Sequence, residues 1–312
     1  KTLESVHDGP YGPIFEQWFD GANGEGPNGK KQVYDWPLFN STVLKYNPQA
    51  IIFGDGGPGC RWVGNESGFA GRTNWGMIVT ADVKPGDNPR GEDYLNQGDP
   101  EGTHWVPAET DVSIRPGWFW RESENDKVKT PRQLLELYYS SVGRNGNLLL
   151  NVPLNKDGLI SDIDVKNLKE FRMLLERQFK KNLLKHAKAE ATDCRGKGFE
   201  AKKTVDDKYD SYWCPTDQAT SPALTLTMKK TTDVNCLMLQ EYIPLGQRVA
   251  EFKLEYMSGG KWLPVSTKEQ TTTIGHKRIV RFDKVNTRQL RVTILKSRAC
   301  PCINNIEAFL VD

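Results

Sequence analysis

The sequence predicts a protein of mixed class: the C-terminal part of a (β/α)8-like barrel, followed by an antiparallel β-sandwich. Residues 1–188 alternate short apolar runs with helix-like stretches, which is typical of a parallel βα repeat. Residues 189–312 show repeated strand-like alternation with frequent turns and no helix-like stretch, which indicates an antiparallel sandwich. We therefore predict two domains, 1–188 and 189–312, with a boundary inside the window 187–192.

Strand-like and helix-like segments follow one another through the first domain. The strand-like segments are 13–20 (PIFEQWFD), 50–54 (AIIFG), 106–114 and 147–152. The helix-like segments are 33–46, 131–142 and 161–186. Thr130 suits an N-cap and Pro131 the first helical position. Two Gly-rich segments, 55–76 and 83–102, are so long that they are expected to carry function.

Charge and hydropathy exclude two classes of partner. The 312 residues carry 42 basic and 40 acidic side chains, mixed along the chain, so nothing marks a polyanion-binding surface and nucleic acid is not expected as a partner. No apolar run approaches the ~20 residues that cross a bilayer. The first residues do not resemble a signal peptide, but the chain opens at Lys1 without Met, so a secreted precursor that lost its leader is compatible with it.

The cysteines point to an oxidising compartment. Only Cys60 lies in the first 190 residues, and the last 120 contain the other five: Cys194, Cys214, Cys236, Cys300 and Cys302. Their spacing does not match a zinc site, and we expect at least one disulfide in the C-terminal domain, with free buried thiols as the alternative. The sequons at Asn40 and Asn65 permit glycosylation. We expect a secreted or otherwise extracytoplasmic protein: extracellular, periplasmic or lysosomal.

Two carboxylates are candidates for the chemistry. Asp20 ends the first strand directly before a Gly-rich turn, and active sites of βα barrels lie at the C-terminal ends of strands. The alternative is an Asp that caps its own loop. Hydrolysis of a glycoside needs a second carboxylate, and Glu66 in the loop after the next strand is our choice, with partial burial expected to raise its proton affinity. Three further acidic residues that end or follow strands compete for this role: Asp55, Glu109 and Asp111.

Three segments resemble one enzyme family. FEQWFDGANGEGPNGKKQVYDW, RWVGNESG and PAETDVSIRPGWFW are similar to glycoside hydrolase family 29, the α-L-fucosidases, and most to the subgroup that prefers α-1,3- and α-1,4-linked fucose on branched glycans. The resemblance implies that Asp20 is the nucleophile and Glu66 the acid/base of a retaining exo-α-L-fucosidase. It implies fucosylated oligosaccharides or glycoproteins as substrates, and no cofactor or metal.

Aromatic residues and one arginine are candidate substrate contacts. Trp62, Trp118 and Trp120 could stack on the apolar face of a sugar, although a barrel also buries aromatic residues as core. Arg115 could bind hydroxyl groups or pair with Asp20, and a structural salt bridge is an equal alternative.

The resemblance also exposes a gap. Members of the family bind fucose through residues of the first barrel strands, and none of the four histidines of this chain, at 7, 104, 186 and 276, matches those positions. Only about four βα units are present, whereas a closed barrel has eight. We expect roughly 100–160 further residues, in the same precursor or as a second chain, an estimate from the ~250-residue size of a barrel. The alternative function is a catalytically silent fragment or a lectin-like protein.

In the second domain, the segments GKGFEAKKTVDDKYDSYWCP and LMLQEYIPLGQRVAEFKLEY and the closing IEAFLV resemble a discoidin-like, galactose-binding-like module. Such modules often bind carbohydrate and sometimes calcium. Asp206, Asp207 and Asp210 offer oxygen ligands without a loop motif of defined spacing, so we expect no metal and favour a structural support for the barrel.

Overall fold

The N-terminal region is built on a parallel sheet. The computed structural model describes residues 1–9, 11–24, 29–83, 85–86 and 90–312. Its first seven strands are β1 (Glu16–Trp18), β2 (Ile51–Gly54), β3 (Cys60–Trp62), β4 (Met77–Ile78), β5 (His104–Trp105), β6 (Ala108–Ser113) and β7 (Gly146–Asn151). Five of them form a parallel sheet in the order β1-β2-β3-β6-β7, and β4 and β5 form a small antiparallel pair. The strand order follows the chain order, as in the successive units of a βα barrel.

Five helices accompany these strands. They are α1 (Thr2–His7), α2 (Trp36–Tyr46), α3 (Glu92–Gln97), α4 (Pro131–Ser140) and α5 (Asp162–Gln178). Helix α2 begins where the Asp35 carboxylate accepts the backbone N–H of Leu38 at 3.0 Å. Helix α4 begins with a reciprocal capping box between Thr130 and Gln133 and has Pro131 in its first turn, as its sequence predicts. Among the described residues, no helix combines the length and apolar character that a membrane span needs.

Several elements differ from the sequence prediction, among them helix α3, which lies inside the Gly-rich segment 83–102 that was expected to be a loop. The first strand covers three residues instead of eight and lies at the edge of the sheet, where Phe15 is 78% exposed rather than buried. Strand β3 was expected to be loop, because its three residues stand between glycines and carry no alternation to detect. Helix α5 ends at Gln178, well before residue 186, because the chain leaves the helix to pack Leu183 and Leu184 against the C-terminal domain.

The C-terminal region is an antiparallel β domain. Its strands are β8 (Lys188–Ala191), β9 (Ala223–Glu241), β10 (Val249–Ser258), β11 (Lys261–Pro264), β12 (Arg278–Ser297) and β13 (Ile303–Phe309). They pair in the order β11-β10-β12-β9-β13, with β8 on β9, and register shifts interrupt the long strands β9 and β12. One apolar cluster, with Trp213 and Phe252 as its largest members, fills the interior of this domain.

Helices α4 and α5 pack directly on the β domain. Phe179, just after α5, meets Phe309 of β13 edge to face, with ring centroids 5.1 Å apart. Arg281 of β12 lies over the ring of Tyr139 and bonds both carboxylate oxygens of Glu136, at 2.6 and 2.8 Å. This contact joins the two regions along one side, and the division at residue 188 stays a proposal.

The expected disulfide is not formed in this structure, because all six cysteines are free thiols. Three of them nevertheless converge in the β domain: the sulfur of Cys214 lies 3.2 Å from that of Cys300 and 3.6 Å from that of Cys302. These separations are hydrogen-bond distances and exceed the ~2.05 Å of an S–S bond.

Candidate active site

Four carboxyl groups from neighbouring strands meet at the C-terminal edge of the parallel sheet. Asp20 follows β1, Asp55 follows β2, Glu66 lies in the loop after β3, and Asp111 belongs to β6. All four line one cleft of about 260 Å³. Because parallel strands all end at the same edge, residues far apart in sequence reach a common site there.

Asp20 is an exposed carboxylate in the loop after β1. Its Oδ1 accepts the backbone N–H of Ala22 at 2.8 Å, and this bond restricts the orientation of the carboxylate. The indole of Trp18 stacks on the ring of Phe53, with centroids 4.7 Å apart and planes within 10°. Both rings line the cleft, so Asp20 stands beside an apolar wall suited to the C–H face of a sugar.

Asp55 follows the next strand and lies close enough to Asp20 for the two charges to interact. Its Oδ2 accepts the backbone N–H of Gly86 at 2.7 Å. Burial raises the pKa of Asp55. The hydrogen bond from Gly86 lowers it in part, and the charge of Asp20 raises it further. A Cβ on Gly21 would lie 2.8 Å from Oδ2 of Asp55. Gly21 therefore leaves room for the carboxylate of Asp55.

Glu66 lies on the opposite loop and is held by one side-chain contact among the described residues. Its Oε2 accepts a hydrogen bond from the indole Nε1–H of Trp118 at 3.2 Å. The side chain is exposed, so the partial burial expected from the sequence is not present. Trp118 itself is 37% exposed and adjoins the cleft through this bond, and its contact with a ligand stays a prediction.

Asp111 and Trp62 form the floor between the two exposed carboxylates. The Trp62 indole Nε1–H donates to Oδ1 of Asp111 at 3.0 Å, and both residues line the cleft. Burial raises the pKa of Asp111 to about 6, opposed by its hydrogen bonds and reinforced by the charges of Glu66 and Asp20. Asp111 therefore couples electrostatically to both candidate catalytic groups.

Two of the predicted substrate contacts are not brought to the cleft. Arg115 is 1% exposed, and its guanidinium forms a two-bond salt bridge with Asp164, at 2.9 and 3.0 Å. The structural alternative is therefore the one that the geometry shows. Trp120 is partly buried, donates its indole N–H to Ser161 at 2.7 Å and lies beside Arg115.

A further polar cluster lies deeper along the same strands. A carboxylate oxygen of Glu16, the sulfur of Cys60 and a carboxylate oxygen of Glu109 all lie within 4.8 Å of one another. Burial and the neighbouring Glu16 raise the pKa of Glu109 to about 8, and its Oε1 has no hydrogen-bond partner in the described part of the chain. A proton on Glu109 competes with any cation at neutral pH, and the expectation that no metal is needed stays a prediction.

The sequence selects the two exposed carboxylates as catalytic and offers the partly buried Asp55 and the buried Asp111 only as competitors. It does not indicate Trp18 and Phe53 as part of the site. The signal was present for all four, since each lies in or directly after a strand of the parallel sheet. Two exposed carboxylates that line one cleft can act as nucleophile and proton donor on one bound acetal.

Two family models match the chain in succession. The model described as Alpha-L-fucosidase matches residues 20–178, and the model described as F5/8 type C domain matches residues 187–307. The first match covers half of the chain, begins at Asp20 and includes Glu66.

Relatives and solved structures agree with these matches. The chain is 40% identical over 306 residues to Alpha-L-fucosidase 1 of Arabidopsis thaliana, covering 96% of this chain and 59% of that protein. A GH29 fucosidase of Ruminococcus gnavus in complex with fucose is similar at TM-score 0.88 and 29% identity, with 100% of this chain and 64% of that one covered. A glycoside hydrolase 29 family member from an unknown rumen bacterium gives TM-score 0.82 and 32% identity, with 100% and 53% covered.

The chain thus spans less than two thirds of the length of these three proteins. On the extent of the family match and the whole-chain structural similarity, the chain belongs to the α-L-fucosidase family, glycoside hydrolase family 29.

Proposed function

We propose that the protein is a retaining exo-α-L-fucosidase that removes terminal fucose from oligosaccharides or glycoproteins. The observation that carries the proposal is the convergence of Asp20 and Glu66 on one cleft at the C-terminal edge of the parallel sheet. Family membership gives the sugar, and the two exposed carboxylates give the chemistry.

The mechanism assigns one step to each carboxylate. Asp20 attacks the anomeric carbon and forms a fucosyl ester while Glu66 donates its proton to the departing glycosidic oxygen. Glu66, now a carboxylate, then removes a proton from water, whose oxygen attacks the same carbon and releases Asp20. Two displacements give net retention. The bound state requires the two carboxyl groups to stand roughly 5 to 6 Å apart.

The neighbouring groups fit supporting roles. Trp62 and Asp111 lie where a sugar hydroxyl would reach a buried carboxyl, and Trp118 holds Glu66 by its indole N–H. Arg115 and Trp120 are not part of this proposal, because they bond to Asp164 and Ser161 away from the cleft.

Hydrolysis of an aryl α-L-fucoside, followed by NMR of the first-formed sugar, tests the proposal. We expect α-L-fucose as the initial product. Asp20→Asn should lower kcat/KM on the order of 10³-fold or more, and Glu66→Gln by about 10²- to 10⁴-fold. Glu122→Gln, an exposed carboxylate in the 122–127 turn, is the matched control and should leave the rate unchanged. Inversion, or full activity without Asp20, would refute the assignment.

The linkage preference is proposed from the sequence motifs alone. We expect faster release from α-1,3- and α-1,4-linked fucose on branched glycans than from α-1,2- or α-1,6-linked fucose. A panel of four defined fucosyl oligosaccharides measures this directly. Equal rates on all four would remove the subgroup assignment and leave the family unchanged.

The active protein is proposed to contain further barrel strands. The described sheet has five parallel strands, whereas a closed barrel has eight, and β1 is an edge strand beside the exposed Phe15. We expect residues 1–312 alone to aggregate or lack activity, and an added N-terminal barrel segment, tethered or separate, to restore it. A soluble, monomeric and fully active product would overturn this. A folded product that binds fucosylated glycan without cleaving it would support the lectin-like alternative.

An extracytoplasmic location is part of the same proposal. Oxidation of the thiols of Cys214 and Cys300, with two protons and two electrons passing to a low-molecular-weight disulfide, would join the two neighbouring sulfurs. Mass measurement with and without reduction shows whether this happens.

Of the two sequons, Asn40 is the expected glycan site, because the Asn65 amide donates to the Phe69 carbonyl at 3.0 Å beside Glu66.

A further inference from the structure

The loop that carries Glu66 is fastened by the C-terminal β domain. This acid/base loop, residues 63–76, joins β3 to β4. Near its start, Asn96 of the N-terminal region donates to the carbonyls of Val63 and Phe69, at 3.3 and 3.2 Å. Near its end, the loop is bonded both by the N-terminal region, for example by Arg61, and by residues more than 170 positions later in the chain.

Gln247 of the β domain binds the loop backbone at two points. Its Nε2 donates to the carbonyl of Asn74 at 2.9 Å, and its Oε1 accepts the N–H of Gly76 at 2.7 Å. The two ends of one side-chain amide thus meet one acceptor and one donor, which fixes its orientation. Gln247 is 4% exposed and Asn74 is fully buried, so each of these groups would lack water as a substitute partner.

Neighbouring residues complete the same clamp. The N–H of Asn74 donates to the hydroxyl of Thr273 at 3.0 Å, and Asn145 donates to the Asn74 carbonyl at 3.1 Å. Asn145 in turn accepts the N–H of His276 at 2.7 Å, which ties the β7 end of the sheet to the β domain. Thr273 and Asn74 are both fully buried. We refer to Gln247, Thr273 and Asn145 as the clamp.

Glu66 depends on this loop for its position. The described structure gives its exposed carboxylate one side-chain partner, Trp118, so the path of the loop backbone sets where the proton donor stands. A displacement of about 1 Å in a catalytic group can cost roughly 10²-fold in rate. A buried, two-point contact at the loop end restricts such displacement.

We propose that Gln247 is a positioning residue for the general acid/base, through which the β domain holds Glu66 in its catalytic place. The proposal rests on the fucosidase function proposed above. It gives the C-terminal domain a part in the reaction itself, through a loop that it contacts at Asn74 and Gly76.

Leaving-group dependence separates positioning from mere structural support. Departure of a poor leaving group needs the proton of Glu66, whereas 2,4-dinitrophenolate departs without it. The assay measures kcat/KM, which reports formation of the fucosyl enzyme, for methyl and 2,4-dinitrophenyl α-L-fucosides, using these 312 residues together with the remaining barrel strands. Gln247→Leu should lower kcat/KM by about 10- to 100-fold on the methyl fucoside and by less than about 3-fold on the dinitrophenyl fucoside.

A matched pair at Thr273 guards against misfolding of the Gln247 variant. Thr273→Val removes the hydroxyl that accepts the Asn74 N–H and should show the same selective loss, whereas Thr273→Ser keeps the hydroxyl and should restore the wild-type ratio between the two substrates. Glu66→Gln sets the upper limit of the selectivity.

The outcomes are distinguishable. If the wild type cleaves both fucosides and the clamp variants lose activity equally on both, or lose none, the positioning role is wrong and the fucosidase function stands. If the wild type cleaves neither, the proposed function itself fails and this inference with it.

Discussion

The two regions of the chain bury different chemistry. The β domain encloses one continuous apolar cluster built around Trp213 and Phe252. The parallel-sheet region has smaller apolar clusters and buries Glu109, Asp111 and Arg115, each 5% exposed or less. The β domain is a close-packed support, although it buries charged side chains as well: Glu241 accepts backbone N–H groups of its own domain, and Glu255 pairs with Arg291. The difference is that a buried carboxyl of the parallel-sheet region, Asp111, lines the cleft, whereas Glu241 and Glu255 bond groups of their own domain.

The largest expected effect comes from breaking the buried ion pair of the parallel-sheet region. Asp164→Asn leaves the guanidinium of Arg115 without its countercharge, which should lower the free energy of unfolding by about 3 to 5 kcal/mol. Denaturant titration followed by circular dichroism measures it. Asp162→Asn, an exposed residue in the first turn of α5, is the matched control. A raised KM at unchanged stability would contradict the structural role and return Arg115 to the sugar site.

A cavity in the β domain gives the corresponding effect for apolar burial. Leu239 of β9 is fully buried in the main cluster, and Leu239→Ala should lower the free energy of unfolding by about 2 to 5 kcal/mol. Leu239→Met, which keeps the volume, should cost less than about 1.5 kcal/mol. If the alanine variant cost no more than the methionine variant, the cluster would not be the close-packed support described above.

Patterned elements could be predicted from the sequence, and unpatterned ones could not. Helix α4 was predicted because Thr130 and Pro131 mark its start and its apolar residues repeat at helical spacing. Strand β3 was missed because three residues between glycines contain no period. The alternation over 189–312 predicts strands but not their lengths, and residues 223–241 and 278–297 each form one long strand interrupted by register shifts.

The site was predictable where position along a strand decides it. Asp20 and Glu66 were chosen because they follow strands, and the structure places both in one cleft, while their catalytic roles stay predictions. For Arg115 the sequence leaves a sugar contact and a structural salt bridge as equal alternatives, because it does not show that Asp164, 49 residues later, lies opposite the guanidinium. The roles of Gln247 and Thr273 were invisible for the same reason, since they arise only when the β domain folds against the acid/base loop.

A smaller effect on folding stability comes from Asp111 in the cleft, and it depends on pH. The pKa of Asp111 is raised to about 6 by burial, so the folded state holds this proton more tightly than the unfolded state does. The contribution of Asp111 to folding stability is fully present at pH values below the ordinary pKa of an Asp, and it is lost as the pH rises through about 6. Wild-type stability should therefore fall by on the order of 1 to 2 kcal/mol between pH 5 and 8 from this group.

Asp111→Asn keeps an acceptor for the Trp62 indole and removes the titration, so it should flatten that part of the stability curve. Thermal unfolding at pH 5, 6, 7 and 8 for both proteins makes the comparison. Parallel curves for the two would show that Asp111 does not carry the raised proton affinity.

The smallest effect is local. Thr130→Ala removes the capping box of α4, which lies between the cleft region and the β domain, and should cost about 1 kcal/mol. Thr130→Ser keeps the hydroxyl and should restore most of the loss in unfolding midpoint. An alanine variant as stable as the wild type would show that packing against the β domain alone fixes the start of this helix.

The central claim is that Asp20, and not another carboxylate of the cleft, forms the covalent bond to the sugar. The 2-fluoro group of 2-deoxy-2-fluoro-α-L-fucosyl fluoride slows hydrolysis of the fucosyl ester. Incubation of the protein with this compound should therefore trap the ester. Peptide mass spectrometry should then locate one fluorofucosyl group per chain, on the peptide that contains Asp20. An adduct on Asp55, Glu66 or Asp111, or continued turnover without any adduct, would contradict the account.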